Sequence, residues 1–292
     1  MCGGTVVLEE NGTVSVCEYC GTRKAIKQPE KAASPGASNQ NTQPEKDLFS
    51  HSEAFRIENE RRKAEEANAR AQQARLEAEA QRLERERLAE KIAASINAAE
   101  GVFRLGLTTG SSPVALYRSL VRRHEAGEIS FRNVEVFSID EYYPAPEDSH
   151  SRNRRLYSDF VTKVDIDPEK VHVPKLKEIQ DTASVTEFCA EYDRMASGLD
   201  LLIMGTGEKG QIGFNEFGAS EKSRTRTVLL PYASRKRQAR NFAGNVDETP
   251  DKAIAMGIST MMSAKKIHLI AWGEDKAQVV KQIVEDAADP SC

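Results

Sequence analysis

The rhythm of apolar and polar positions changes three times along the chain. Residues 1–27 carry two short alternating stretches, at 5–7 and 13–16, around an Asn11-Gly12 pair. Period-two alternation around an Asn-Gly turn predicts a β-hairpin. Residues 28–50 read as a disordered linker, because 28–46 are rich in Pro, Ser, Asn, Gln and Lys and hold nothing apolar larger than alanine. Residues 51–91 are then almost wholly Ala, Glu, Arg and Gln. These are strong helix formers, and their interleaved charges supply many i,i+4 pairs, so a long solvated helix is expected. Leu76 and Leu83 stand seven apart, but no sustained heptad joins them. An isolated charged helix is therefore expected rather than a coiled coil.

From 92 to 287 apolar runs alternate with amphipathic ones. Strands are predicted at 102–107, 134–139, 199–204, 225–230 and 266–271, and helices near 114–126, 152–163, 184–197, 233–242 and 275–285. This succession predicts an α/β domain: a Rossmann-like, doubly wound, mostly parallel sheet with helices on both faces. Ligands of such sheets bind beyond the carboxyl ends of the strands.

Composition narrows the classes of function. The 292 residues, 39% hydrophobic and 29% charged, can hold one sizeable domain plus extensions. A net charge of -4 creates no global basic field, and acidic neighbours offset the arginines of the charged helix, so neither nucleic acid nor a membrane is expected as a partner. No apolar run has the length of a membrane span and the start lacks the apolar core of a signal peptide, which makes a cytoplasmic protein the expectation. Five cysteines in such a chain suggest reduced thiols or metal rather than a disulfide framework. The knuckle Cys17-Glu18-Tyr19-Cys20-Gly21 resembles half of a zinc ribbon, with Cys2 as the one further thiol near it. Zinc held by Cys2, Cys17 and Cys20 is one reading; an unfolded remnant is the other, because a hairpin this small has little core of its own.

The candidate chemistry lies at the ends of the predicted strands. Thr109-Gly110-Ser111-Ser112-Pro113 follows the first strand and opens a helix. A glycine free to take positive φ, two hydroxyls and a proline in the first turn would aim unpaired N–H groups and the helix dipole at an anion, although an ordinary βα turn has the same composition. Asp140-Glu141 follows the second strand. A glycine-rich loop from Gly205 to Glu216 follows the third, and Ser223-Arg224-Thr225-Arg226 opens the fourth. A carboxylate beside a phosphate cradle can abstract a carbon-bound proton, while cations hold the substrate's charged end. Acids at strand ends also serve as caps, and glycine loops as turns. Of the five histidines, only His150 follows the acid pair closely enough to reach such a site.

In this order the motifs, from Leu105-Gly106-Leu107-Thr108-Thr109-Gly110-Ser111-Ser112-Pro113 through Ser138-Ile139-Asp140-Glu141-Tyr142, Ile212-Gly213-Phe214-Asn215-Glu216 and Ser223-Arg224-Thr225-Arg226 to Ala255-Met256-Gly257-Ile258-Ser259-Thr260, resemble the glucosamine-6-phosphate deaminases, relatives of the 6-phosphogluconolactonases. The Phe214-Asn215-Glu216 triplet resembles the deaminase branch. The resemblance implies conversion of glucosamine 6-phosphate and water to fructose 6-phosphate and ammonia, with no cofactor in the deaminase-like domain. It implies that Gly110, Ser111 and Ser112 hold the phosphate with Arg240 and Lys276, and that Asp140 moves a proton between C2 and C1. Where the family places an aspartate and a histidine that open the sugar ring with Glu216, this chain has Lys209 and Gln211. A glutamine can hydrogen-bond the ring oxygen but cannot pass a proton at neutral pH. Two further readings therefore stand beside the enzyme: an inactive sugar-phosphate-binding or interaction module, and a lactonase-like hydrolase. The family's opening strand and closing elements are also not matched, and an open sheet edge would favour a homo-oligomer or another partner.

Overall fold

A computed structural model describes the backbone of residues 6–8, 14–17, 23–25 and 45–286, except 147–149, 179, 208 and 217, and the side chains from residue 53 onward within these. It divides into one unit up to Asn68 and another from Ala69. In the first unit β1 (Val6–Leu8), β2 (Val14–Cys17) and β3 (Arg23–Ala25) form an antiparallel sheet in the order β1-β2-β3. The expected hairpin is thus present, with a third strand. Cys17 ends β2, whereas Cys2, Cys20 and the Cys17 side chain lie outside the described residues.

The charged segment forms one helix, α1 (Glu45–Asn97), whose exposed ion pairs include Arg61 with Glu65 at 2.9 Å and Arg82 with Glu79 at 2.6 Å. It is not isolated. Its last turns bury Ala89, Ile92, Ala93 and Ile96, spaced three and four apart, so the boundary expected at residue 91 falls inside the helix. The charge-rich sequence hides this because three of those four core positions lie beyond residue 91, where the apolar stripe begins.

The second unit is built on a parallel sheet in the order β11-β8-β4-β5-β7: β4 (Phe103–Leu107), β5 (Val134–Ser138), β7 (Val171–His172), β8 (Leu201–Gly205) and β11 (Ile267–Ile270). Alternate strand residues serve opposite faces. Leu105, Leu107, Val136, Leu201 and Ile203 pack with the end of α1, with α2 (Ser111–Glu125) through Leu116 and Leu120, and with α3 (Arg152–Asp159) through Leu156. On the other face Phe137, Leu202 and Met204 meet Tyr192 and Ala196 of α4 (Thr182–Ala196) and Met261 of α6 (Ile258–Met262). Helices on both faces make this the expected α/β fold, and α5 (Tyr232–Gln238) and α7 (Ala277–Glu285) also fall where helices were predicted.

The strand predicted at 225–230 departs from expectation. β9 (Arg226–Leu229) belongs to a separate antiparallel sheet, β6-β10-β9, with β6 (Asp140–Tyr143) and β10 (Lys252–Ala255). β6 begins directly after β5 and pairs Asp140 with Ala255. This small sheet carries the acid pair beyond the end of the main one. Among the described residues no helix is long and apolar enough to cross a membrane.

Candidate active site

Three ends of the parallel sheet converge around the turn after β4. Gly110, with φ 133 and ψ -179, leads into Ser111, the first residue of α2, and no side chain caps that terminus. Its first N–H groups are therefore available to an anion. Gly205 at the end of β8 lies against this turn: a Cβ there would be 3.6 Å from Ser112 Cβ and 3.6 Å from Ile270 O of β11. Trp272, just beyond β11, donates its indole N–H to Ser112 O at 3.1 Å. Lys276 follows in the turn Glu274–Lys276, its side chain only 14% exposed and its ammonium 3.9 Å from Asp275. Gly110, Ser111 and Ser112 thus follow β4 and Lys276 follows β11, with the end of β8 between them. Arg240 stands on the turn Ala239–Asn241, exposed and with no hydrogen bond or ion pair among the described residues.

The acid pair is buried and its two members differ in role. Glu141 accepts from Tyr142 N at 2.9 Å, Arg152 N at 3.1 Å, Ser151 Oγ at 2.6 Å and Asn153 N at 2.8 Å. All its lone pairs serve β6 and the start of α3, which is the work of a cap. Asp140 is 1% exposed. Its Oδ1 accepts from Arg152 Nε at 2.6 Å, and its Oδ2 has no hydrogen-bond partner among the described residues. Burial pushes the Asp140 carboxyl above its ordinary range, with the Arg152 guanidinium acting against burial. Oδ2 faces the loop after β8: a Cβ on Gly213, whose φ is 60°, would sit 2.8 Å from it. Arg152 lies over the Phe214 ring, 4.7 Å from its centroid. Sequence reasoning missed Arg152; its one signal was Ser151, which caps α3 by accepting from Arg154 N.

The rest of the loop is tied down. Gln211 packs against Gly207, accepts from Gly207 N through its backbone oxygen at 2.8 Å, and accepts from Lys209 N through Oε1 at 3.0 Å. The Lys209 side chain is exposed. Asn215 donates to Met256 O at 2.9 Å, and Glu216 accepts from Ser234 Oγ and from Arg237 Nη2 at 3.4 Å. Glu216 is therefore anchored to α5.

Two expectations are corrected. Arg224 and Arg226 were read as cations for a ligand. Arg224 instead pairs with Asp193 of α4 at 2.7 Å, and Arg226 donates to Asn215 Oδ1 at 3.1 Å. Asp193 Oδ1 also accepts from Thr225 N at 2.8 Å and from the hydroxyls of Thr225 and Thr260, so the Ser223–Arg226 motif fastens β9 to α4 and α6. His150 places Nδ1 2.7 Å from Asn241 O and stacks on Phe242 at 4.8 Å, a packing role. Grooves of about 390 Å³ beside Arg224 and about 260 Å³ beside His268 lie away from Asp140.

The model of the family described as Glucosamine-6-phosphate isomerases/6-phosphogluconolactonase matches residues 77–292. The chain is 42% identical to a glucosamine-6-phosphate deaminase of Mycolicibacterium smegmatis over 63% of this chain and 70% of that protein. It is 38% identical to a glucosamine-6-phosphate deaminase-like protein of Bacteroides thetaiotaomicron over 68% of this chain, but it spans only 30% of that relative's length. A solved structure described as a monomeric glucosamine-6-phosphate deaminase superposes with a TM-score of 0.65 at 31% identity, covering 71% of this chain and 85% of that one. A 6-phosphogluconolactonase from Thermotoga maritima shares the fold, with a TM-score of 0.52 at 16% identity.

Proposed function

The chain belongs to the family of glucosamine-6-phosphate isomerases and 6-phosphogluconolactonases, and we propose that it deaminates glucosamine 6-phosphate with water to fructose 6-phosphate and ammonia. The observation that carries this reading is the buried Asp140, whose free Oδ2 faces the Gly213 loop at the same end of the sheet as the uncapped start of α2. Ser111, Ser112 and the first N–H groups of α2 hold the phosphate, and Lys276 supplies charge from beyond β11, on the far side of β8. Arg240, exposed on the turn Ala239–Asn241, is assigned as a further cation for the phosphate.

With the open-chain amino aldehyde bound, Oδ2 takes the C2 proton. The C–H pair moves into the C1–C2 bond and the carbonyl pair onto O1. The proton then passes from Oδ2 to C1 as the nitrogen lone pair closes a C2–N double bond, leaving an iminium beside an O1 alkoxide; water adds to C2 and ammonia leaves, and the proton set free in that hydrolysis goes to O1, which becomes the C1 hydroxyl. The chemistry asks the protein for a base, phosphate donors and an enclosed space, and we assign no cofactor to it.

One observation favours a second reading, binding without turnover of the closed sugar. The side-chain carbonyl of Gln211, the residue that stands where the resemblance implies a ring-opening histidine, accepts from Lys209 N. Purified protein assayed with glucosamine 6-phosphate decides between the two. Ammonia released in step with fructose 6-phosphate supports the enzyme, whereas saturable binding with no ammonia from either the closed or the open sugar supports the second reading.

A further inference from the structure

The residue that joins the candidate base to the rest of the protein is Arg152, and nothing in the proposed reaction has yet used it. Its guanidinium is enclosed, with a side chain 13% exposed beside an Asp140 side chain that is fully covered. Two contacts fix it: Nε on Asp140 Oδ1 at 2.6 Å, and the Phe214 ring at 4.7 Å. Its backbone is fixed as well, because Glu141 accepts from Arg152 N and Asn153 N and from the Ser151 hydroxyl. The second acid of the pair therefore holds the helix start that aims Arg152 at the first.

We propose that Arg152 is a positioning residue of the reaction: by engaging Asp140 Oδ1 it keeps the buried carboxyl ionised and leaves Oδ2 as the one basic atom offered to the substrate. The inference rests on the reading of Asp140 as the base. A buried carboxylate needs a close cation to stay charged, and among the described residues the groups that face Asp140 supply only one. From α3 comes Arg152; Tyr192 of α4 gives its hydroxyl to Ser138 O at 2.6 Å, and Glu141 and Tyr142 on β6 are neutral or of like charge. Once Oδ2 has taken the C2 proton, the neutral carboxyl leaves the enclosed guanidinium without its counter-ion, so the protonated state is short-lived and the proton moves on to C1.

The test combines two readouts on Arg152→Lys and Arg152→Met. In the pH–rate profile of deamination, the acid limb marks the protonation of the base. Loss of the guanidinium should move that limb upward by about 1–3 pH units, the usual effect of an adjacent opposite charge, and lysine should restore part of the shift. The second readout needs no turnover. Burial leaves Asp140 with a raised folded-state pKa, so its ionisation draws on stability as the pH rises through that pKa. Arg152→Met should deepen the fall in Tm as the pH rises above the ordinary carboxylate range, and adding Asp140→Asn should abolish the extra fall. A folded Arg152→Met protein with an unmoved acid limb, or with a pH dependence of Tm that Asp140→Asn leaves unchanged, overturns the inference. If the protein shows no turnover at all, the deaminase reading fails, and the Tm comparison still decides whether Arg152 controls the charge of Asp140.

Discussion

Gly213→Ala probes the contact on which the site is built. The residue sits at φ 60°, where a side chain costs about 1–2 kcal/mol. The new Cβ would lie 2.8 Å from Asp140 Oδ2 and 3.2 Å from Ile139 Cδ1, both in the buried strand-end region, so something must move. Backbone strain and crowding together should cost about 2–3 kcal/mol, or about 4–12 °C in Tm for a domain of this size. Because the displaced atom is the proposed basic oxygen, activity should fall further than stability. A shift of about 1 Å in a reacting group costs about 100-fold. Gly218→Ala is the control, since Gly218 also has positive φ, 81°, but a Cβ there meets nothing within 4 Å. It should lower Tm slightly and leave kcat unchanged. The pair is measured by thermal melts followed by ammonia release below each Tm. A Gly213→Ala protein as active as the Gly218→Ala control would refute the placement of Asp140 Oδ2 against this loop.

Further outcomes follow from the same geometry. Lys276→Ala should weaken binding of hexose 6-phosphates by about 1.5–3 kcal/mol in calorimetric titration, the worth of a charge-assisted hydrogen bond, with little change in affinity for the unphosphorylated sugar. Gln211→His with Lys209→Asp should raise deamination of the closed sugar by an order of magnitude or more, since a histidine can pass the ring proton, and Asp140→Asn should remove the gain. Burial raises the Asp193 carboxyl, but the hydrogen bonds from Thr260 and Thr225 and the Arg224 guanidinium outweigh it and hold its pKa below the ordinary range. Asp193 therefore contributes stability at neutral pH that is lost as the pH falls through its folded pKa, so Asp193→Asn should lower Tm at pH 7 and flatten the acid side of the stability profile.

Four strands of the parallel sheet were legible because they are short apolar runs of four or five residues set between amphipathic helices, and each of β4, β5, β8 and β11 lies within two residues of its predicted bounds; the edge strand β7, only Val171–His172, was too short to show. The antiparallel sheet was not legible. Asp140-Glu141-Tyr142-Tyr143 carries no apolar alternation, and it becomes a strand through pairing with Lys252–Ala255, more than a hundred residues away. The turn at 109–113 between β4 and α2 could be read because its glycine and hydroxyls are local. The division of labour between Asp140 and Glu141 could not, because it depends on where α3 begins and on which carboxylate its first N–H groups reach. The roles of Arg224 and Arg226 are hidden for the same reason: a cation near a strand end looks alike in sequence whether its partner is a ligand or, as here, Asp193 for Arg224 and Asn215 for Arg226. The end of α1 was hidden by composition, since a stripe of Ala and Ile in a charged helix shows only when a sheet is placed beneath it.

The most direct test of the account follows the C2 proton. Glucosamine 6-phosphate carrying deuterium at C2 is incubated with the wild-type protein and with Asp140→Asn, and the label is followed by NMR. The account predicts that the wild type removes deuterium from C2, part of it reappearing at C1 of fructose 6-phosphate, and that Asp140→Asn binds the sugar but leaves the label in place. Deuterium retained by the wild type, or lost at an undiminished rate in Asp140→Asn, would contradict it.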